Sequence, residues 1–434
     1  MKKRTSTIKH KKIIEIMPDV EGCWNKIVSF MKKSSIFNIN GKQIDDTLSP
    51  EQYNQITMIP NSYFVCLGDT IDNGPNNLSI LRLLRHLKLK YNKRVIFIIG
   101  NRDINKIRLK FELEKQRTGI NRLTKSEYPI NESKVNKLKW ILTNTMGCPN
   151  TFEYFKQELN TNDDNIVLDK FIEILEIPEN HDSDRGLLLF YLYHANLVYY
   201  NKSTKSIYMH GGLNCKNYLT LRSKKFKNLK EWIFNLNKWY HDLLRKAYIQ
   251  NIDESEIEEL LLYQDERDYT KKDGYGGIYS VVISRPWKTP PITNGSIGSS
   301  LIEEGCFDSI YKDIRYIFTG HTPVGQLPVI YKLFKNRKKI TFIFGDTTYS
   351  GKIANIKFIN GHVYIKADYL NNHKLDSTCS KESVDYIIEY SSKDKNIGTE
   401  KDGKFILAKN GTEYIYGQWD LNRENPTMLK VINK

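Results

Sequence analysis

Residues that can bind metal ions are spread along the sequence, and each follows a short apolar run: Asp19, Glu21, Asp69, Asn101, His210 and His321. Carboxylates, a carboxamide oxygen and imidazoles together form a ligand set for divalent transition metals. A carboxylate that bridges two ions lets them lie about 3.5–4 Å apart, the spacing used in two-metal phosphoester hydrolysis. The residue types therefore predict a divalent-metal site with hydrolytic chemistry.

Each of these residues has a plainer explanation when it is taken alone. A loop aspartate is most often a turn former or a helix cap, and a lone histidine is most often a hydrogen-bonded core or surface residue. The repeated context favours the metal site, because every one of the six comes after a strand-like run and lies in a loop that contains glycine.

The apolar runs have the length and composition of buried strands. They are IIEIM, YFVCL, VIFII, SIYM, YIF and ITFIF, which end at residues 17, 67, 99, 209, 318 and 344. Helical patterns follow the first two runs, and strands that alternate with helices build an α/β fold whose loops converge along one sheet edge. Because the later strands have irregular connections, we expect a mixed two-sheet β-sandwich flanked by helices.

The chain divides by composition into an N-terminal arm, a main domain with two insertions, and a C-terminal extension. The predicted ranges are a basic arm at 1–12, a main domain at 13–350, helical insertions at about 104–200 and 216–280, and a β-rich extension at 351–434. The second insertion contains an amphipathic helix, WIFNLNKWYHDLLRKAY, whose large apolar residues are expected in the core: Trp232, Phe234, Leu236 and Trp239.

Charge and cysteine content limit the class of protein. The 434 residues carry a formal charge of +16, which fits either a solvated lysine-rich surface or attraction to nucleic acid, nucleotides or phosphoproteins. The six cysteines show no CxxC spacing, so we expect reduced cysteines and no disulfide framework. No run approaches the roughly 18 apolar residues of a membrane span. These features favour a soluble cytoplasmic or nuclear protein without a membrane partner.

The motifs around the candidate ligands resemble those of the calcineurin-like metallophosphoesterases, and of their phosphoprotein phosphatase type in particular. GDTIDNG at 68–74 is similar to the GDxxDRG motif, and PDVEGCWNKI at 18–27 to the GDxHG segment. GNRD at 100–103 stands where the family has GNHE, while MHGGL at 209–213 and FTGHTPVG at 318–325 match the HGGL and GH segments. The resemblance covers about residues 13–350.

The resemblance implies a β-sandwich with two metal ions at the sheet edge. Asp19 and Glu21 would hold the first ion, Asp69 would bridge, and the second ion would be held by Asn101, His210 and His321. A water shared by the ions would attack phosphorus. Because Glu21 replaces a family histidine with a hard oxygen ligand, Mn²⁺ is favoured, with Mg²⁺, Fe and Zn²⁺ also possible.

Two further departures concern phosphate and proton transfer. Asn73 stands at the phosphate-binding position where the family has arginine, and Arg102 replaces the histidine that protonates the leaving oxygen. Arginine keeps its proton at ordinary pH and is no general acid. We therefore expect Arg102 to pair with Asp72, the predicted catalytic partner, and to bind phosphate in place of the lost clamp.

Other basic residues have weaker or divided interpretations. Arg285 in SRPW is compatible with the second phosphate-binding arginine of the family. Lys106 and Arg108 follow GNRD and either line the site or form a solvated helix face. Asp346 either orients a ligand histidine or forms a turn.

Two functions follow from these observations. The favoured one is a metal-dependent phosphoesterase that hydrolyses phosphomonoesters or phosphoanhydrides of a protein, nucleotide or small molecule. The alternative is a catalytically impaired member that acts as a phosphate- or nucleic-acid-binding module through its basic surface.

Overall fold

The computed structural model describes residues 12–114, 131–178, 183–222, 224–249, 254–263, 279–285, 305–347, 353–369, 386–401, 404–419 and 429–432. Residues 1–11 of the predicted basic arm lie outside these ranges.

The strands in chain order are β1 (Ile13–Met17), β2 (Phe37–Ile39), β3 (Ile56–Met58), β4 (Ser62–Cys66), β5 (Val95–Ile98), β6 (Ala195–Asn196), β7 (Val198–Asn201), β8 (Ser206–Met209), β9 (Thr220–Leu221), β10 (Lys224–Lys225), β11 (Tyr316–Thr319), β12 (Val329–Lys335), β13 (Lys338–Phe344), β14 (Asn355–Ile359), β15 (His362–Tyr369), β16 (Tyr386–Ser391), β17 (Glu400–Lys401), β18 (Lys404–Asn410), β19 (Glu413–Trp419) and β20 (Leu429–Ile432).

The α-helices are α1 (Trp24–Lys32), α2 (Asn77–Tyr91), α3 (Asn101–Asn105), α4 (Leu109–Glu112), α5 (Lys134–Asn144), α6 (Thr151–Leu159), α7 (Asp164–Glu173), α8 (Leu187–His194), α9 (Leu229–Ile249), α10 (Glu258–Leu262) and α11 (Phe307–Asp313). Short 3₁₀ helices lie at Pro50–Gln55, Asn92–Arg94, Lys106–Arg108 and Glu254–Glu256. In the part of the chain that the structure describes, none of the helices has the length and apolar character needed to cross a bilayer.

Two mixed sheets form the centre of the fold. The larger sheet has the order β16-β15-β14-β1-β4-β5-β6, and the smaller has the order β12-β13-β11-β8-β7. The sheets face each other, since Tyr316 and Phe318 of β11 contact Phe358 of β14 with ring centroids 4.8 and 5.6 Å apart. The mixed α/β architecture with two central sheets is therefore as predicted.

The parallel strands set the position of the candidate ligands. In the larger sheet β1, β4, β5 and β6 run parallel, and in the smaller sheet β8, β11 and β13 do so. Their apolar residues are almost entirely buried, as in β5, where all four residues are buried. Because the carboxyl ends of parallel strands meet at one edge, the loops that follow them are brought together there.

The segment after residue 350 is divided between two sheets. β14 pairs antiparallel with β1 through Ile14–Phe358 and Ile16–Ile356, and β15 and β16 continue the same sheet. Only β17 to β20 form a separate four-stranded sheet. The boundary drawn after residue 350 therefore passes through the chain of the main sheet, because an alternating strand pattern does not reveal which sheet its strand joins.

The long helix α9 packs one face on the core. Trp232 and Leu236 are buried and Trp239 is half-buried, whereas Phe234 is 64% exposed. The expectation that Phe234 lies in the core is wrong. Positions four residues apart share a helix face, so Phe234, two residues from both Trp232 and Leu236, points to the opposite side.

The cysteines are partly oxidised in the structure. Cys215 forms a disulfide with Cys306, which is 91 residues away, and Cys23 is also disulfide-bonded. Cys66 and Cys148 are free and buried, while Cys379 lies outside the described residues. The prediction that all cysteines are reduced is wrong for these bonded residues, because pairing over such a separation leaves no local spacing signal.

Candidate metal centre

All six predicted ligands lie together where the parallel strands end. The N–H of Glu21 donates to the carbonyl of Asp69 (2.8 Å), which joins the loops after β1 and β4. The N–H of His321 donates to Asp19 Oδ2 (2.8 Å), which joins the loops after β11 and β1. The strand register and these bonds bring residues that are up to 302 positions apart in sequence to one place.

The backbone is strained at several of these residues. Glu21, Asp69, Asp72 and His321 have positive φ angles of 50°, 47°, 113° and 60°. Left-handed backbone at non-glycine residues costs about 1–3 kcal/mol each and is tolerated where the surrounding structure enforces it. Gly100 permits the close approach, because a Cβ there would lie 2.1 Å from the backbone nitrogen of Asp69.

Three of the predicted ligands form what we call the imidazole side of the site: Asn101, His210 and His321. Asn101 Oδ1 lies 3.0 Å from His210 Nε2 and 2.9 Å from His321 Nδ1. Asp69 Oδ1 lies 3.2 Å from the same Nε2. Four potential donor atoms therefore converge, at separations of the size expected between neighbouring ligands of an ion bound at about 2.1 Å.

The orientation of His210 gives the imidazole side a test of fit for a cation. Its Nδ1 lies 2.8 Å from the carbonyl oxygen of Leu67, which can only accept, so Nδ1 carries a proton. Nε2 then faces two oxygens, those of Asn101 and Asp69, and needs either a proton or a metal ion between them. The donor set fits a divalent ion at this position.

Burial and neighbouring charges shift the pKa values of these groups. Burial opposes ionisation of Asp69, but the charge and hydrogen bond of His210, with the charge of Arg102, lower the pKa of Asp69. Burial alone would lower the pKa of His210, yet Asp69 and Asp19 raise this pKa to about 10. The pKa of Asp19 is raised well above its usual range by burial and by Asp346. The neighbouring carboxylates therefore stabilise positive charge at the His210 ring.

The opposite half, which we call the carboxylate side, contains Glu21, Asn73 and Arg102. Arg102 Nε lies 2.7 Å from Glu21 Oε1 and 3.6 Å from Asp69 Oδ2. Asn73 donates its amide to the same Glu21 oxygen (3.1 Å), so it binds a carboxylate here. Lys26 lies 3.5 Å from Glu21 Oε2. The first of the two metal positions implied by the resemblance is therefore lined by cationic and amide donors.

Asp72 has a different nearest partner from the one predicted. Lys106 donates to Asp72 Oδ2 at 2.7 Å, and both side chains are fully buried. Arg102 Nη1 approaches the same oxygen only to 3.7 Å. Of the two basic residues with divided interpretations, Lys106 reaches the site, whereas Arg108 is buried and pairs with Glu112 at 2.7 Å.

Asp103 is a site residue whose role the sequence motifs did not show. Its Oδ1 accepts from the Thr70 N–H (2.9 Å) and hydroxyl (2.6 Å), and its Oδ2 accepts from the Gly100 N–H (2.9 Å). Burial and the charge of Asp69 raise the pKa of Asp103 to about 6. This carboxylate joins the loops after β4 and β5, and its place in the first turn of α3 was the signal available in sequence.

Two further predicted residues lie around the ligand cluster. Arg285 ends a described segment that joins the His210 loop through the Gly211 N–H and the Val281 carbonyl (2.9 Å). Burial, the charge of His210 and then the charge of Arg285 lower the pKa of His321. Asp346 is buried and acts electrostatically on Asp19.

Comparison with known proteins gives one family match. The family model for calcineurin-like phosphoesterases matches residues 19–325. No curated protein matches the chain. Among solved structures, a cold-active protein-tyrosine phosphatase of a psychrophilic Shewanella species is similar at 15% identity and a TM-score of 0.42, covering 82% of this chain and 77% of that chain. A Saccharomyces cerevisiae serine/threonine phosphatase with similarity to human phosphatase PP5 has 13% identity and a TM-score of 0.37, with 90% and 80% covered.

The family match spans most of the chain and contains the six residues that meet at the sheet edge. Its position agrees with the motifs at the ends of β1, β4, β5, β8 and β11. The chain therefore belongs to the calcineurin-like phosphoesterase family and is a metallophosphoesterase, a hydrolase of phosphoric esters.

Proposed function

We propose that the protein hydrolyses phosphomonoesters or phosphoanhydrides with a divalent metal ion bound on the imidazole side, by Asp69, Asn101, His210 and His321. The supporting observation is a set of three short distances between their donor atoms. Asn101 Oδ1 lies 3.0 Å from His210 Nε2 and 2.9 Å from His321 Nδ1, and Asp69 Oδ1 lies 3.2 Å from His210 Nε2. Two of the four donors are oxygens, and Asp19 adds another nearby carboxylate. This oxygen content supports Mn²⁺ as the favoured ion.

A bound divalent ion supplies two effects: it lowers the pKa of a water toward neutrality, and it neutralises charge on the phosphoryl oxygens. The side chains of the protein orient the substrate around that ion. Arg102, whose side chain is 18% exposed, adds a fixed positive charge beside Glu21 and Asp69. Arg285 adds positive charge near His321.

The replacement of the family's proton donor favours leaving groups that depart as stabilised anions. Arg102 stands where the family has its proton donor, and a guanidinium does not give up its proton at ordinary pH. General acid catalysis contributes about 10²–10⁴-fold, and its loss matters least for aryl phosphates and anhydrides. We therefore rank nucleotide anhydrides and aryl phosphates above serine and threonine phosphates as substrates.

The test is hydrolysis of p-nitrophenyl phosphate with added Mn²⁺ by the wild type and by Asp69→Asn. We expect the wild type to be active and the activity of Asp69→Asn to be lower by more than about 100-fold. Loss of an outer partner of a metal ligand costs about 10–100-fold in activity, and loss of a direct ligand should cost more. Asp46→Asn is the matched control, because the Asp46 side chain is 72% exposed and pairs with Lys32 at the end of α1. Equal activity of the wild type and Asp69→Asn would overturn the proposal.

The leaving-group preference has its own measurement. Rates for p-nitrophenyl phosphate, ATP and a phosphoserine peptide are compared under the same Mn²⁺ concentration. We expect the phosphoserine peptide to be the slowest by about 10²-fold or more. Comparable rates for all three would show that another group supplies the proton.

The net charge of +16 supports the binding-module alternative. It predicts an inert wild type, together with RNA binding that weakens steeply as salt rises. Measurement of RNA affinity at two salt concentrations beside the phosphatase assay separates the two functions.

A further inference from the structure

We infer that the guanidinium of Arg102 takes the place of the first metal ion, so that this phosphoesterase works with one divalent ion. The inference rests on the proposed function and specifies the number of ions at the same site.

The side chain of Arg102 contacts three carboxylates of the site. Its Nε lies between Glu21 Oε1 at 2.7 Å and Asp69 Oδ2 at 3.6 Å, and its Nη1 lies 3.7 Å from Asp72. By the resemblance, Glu21 is a ligand of the first ion and Asp69 is the bridge. The guanidinium therefore lies between the two carboxylates that a first ion would share.

The backbone holds Arg102 in this position. The N–H of Arg102 donates to Asp69 Oδ1 at 2.9 Å, at the beginning of α3. The carboxylate of Asp69 thus accepts a hydrogen bond from the backbone of Arg102 on Oδ1, and its Oδ2 faces the guanidinium of the same residue. Glu21 is also met from the other side, since Lys26 lies 3.5 Å from its Oε2.

The charges at the first metal position oppose an ion there. The carboxylates of Glu21 and Asp69 already face the cations of Arg102 and Lys26, and Asp72 is paired with Lys106. A divalent ion at this position would add two positive charges beside buried cations, and buried excess charge of one sign is costly.

The remaining donors are arranged for a single ion. Asp19, Asp69 and His210 offer donor atoms that all lie within 4.8 Å of one another, and Asn101 Oδ1 is 3.0 Å from His210 Nε2. Among the described residues, Asp19 Oδ1 and Glu21 Oε2 are both buried without a hydrogen-bond partner. Glu21 Oε2 has the ammonium of Lys26 at 3.5 Å, whereas the side chain of Asp19 forms no ion pair with any of those residues. Asp19 Oδ1 is therefore free to serve the ion on the imidazole side.

The experiment counts metal ions directly. The purified wild type is titrated with Mn²⁺, bound metal is measured by mass spectrometry after desalting, and the bound ion is examined by electron paramagnetic resonance. We expect one Mn²⁺ per chain with the spectrum of an isolated ion. Two ions per chain with an exchange-coupled spectrum would overturn the inference while leaving the proposed function intact.

Variants of Arg102 test the cause. Arg102→Ala removes the guanidinium, and we expect a second Mn²⁺ to bind and couple to the first. Arg102→Lys keeps the positive charge, and we expect one ion as in the wild type. Arg245→Ala is the control, because the Arg245 side chain is 60% exposed on α9.

The other possible results for Arg102→Ala and for the wild type are also informative. A single ion in both Arg102→Ala and the wild type, with both proteins folded by circular dichroism, shows that Arg102 does not set the number. If Arg102→Ala does not fold, the wild-type count and Arg102→Lys still decide. A wild type that binds no Mn²⁺ overturns both this inference and the proposed function.

Discussion

The imidazole side and the carboxylate side share Asp69 but are neutralised by different means. On the imidazole side, a ring nitrogen of each of two histidines lies 2.9–3.0 Å from the Asn101 oxygen. On the carboxylate side, Asn73 donates to Glu21 Oε1, and Arg102 Nε forms an ion pair with the same oxygen at 2.7 Å. The three departures from the family motifs therefore meet at one atom, and they form one connected replacement instead of three separate losses.

The largest effect is expected for Lys106→Met. This change leaves the buried carboxylate of Asp72 without its 2.7 Å partner, and removal of one member of a buried ion pair costs about 3–5 kcal/mol. Urea unfolding measures the loss. Lys134→Met is the control, because its side chain is 46% exposed and a surface ion pair contributes about 0–1 kcal/mol. Equal stability of the two variants would show that Asp72 is neutralised by another group.

His210→Ala tests the imidazole side. We expect Mn²⁺ affinity to fall by more than about 100-fold, because a direct ligand should matter more than the outer partners that cost 10–100-fold. Isothermal titration calorimetry measures the dissociation constant. His194→Ala is the control, since His194 is exposed and stacks on Phe190. Unchanged affinity in His210→Ala would place the ion elsewhere.

Asp103→Asn tests the link that both sides depend on. The amide replaces one acceptor oxygen by a donor, which then meets the N–H of either Thr70 or Gly100. An unsatisfied buried donor costs about 1–3 kcal/mol, so the free energy of unfolding should fall by that amount. A change below about 0.5 kcal/mol, within the range of surface substitutions, would contradict this role.

The smallest effect on metal affinity is expected for Glu21→Gln. Its Oε1 is contacted by Arg102 and Asn73 and its Oε2 lies 3.5 Å from Lys26, so we expect Mn²⁺ affinity to change by less than about tenfold, or 1.4 kcal/mol. The same calorimetric titration applies. A loss as large as that in His210→Ala would mean that Glu21 is a metal ligand, and the two sides would then be alike.

The strand tips and their polar residues could be predicted from sequence, because apolar runs followed by glycine and acidic or imidazole residues are local patterns. The six predicted runs correspond to β1, β4, β5, β8, β11 and β13, and the helices α1 and α2 follow the first two of them as expected. Placing Asp69 near His210 needed only the rule that parallel strands deliver their carboxyl ends to one edge.

The partners of the charged side chains could not be predicted in the same way. Arg102 has a choice of three carboxylates within 4 Å, and side-chain geometry decides that Glu21 is nearest. Lys26 lies in α1, five residues after Glu21, but its sequence position alone fits a solvated face equally well. The disulfide of Cys215 and the pairing of β14 with β1 are long-range contacts without a local signal.

The antiparallel pairing of β14 with β1 has a practical consequence for anyone who shortens the chain. The family match begins at residue 19 and stops at residue 325, so a fragment cut to those limits loses β1 and β14 to β16 of the larger sheet, together with β12 and β13 of the smaller sheet. β4 would then become an exposed edge strand with unpaired amides, and such edges promote aggregation. Asp19 would be the first residue of that fragment, without the preceding strand that positions its carboxylate.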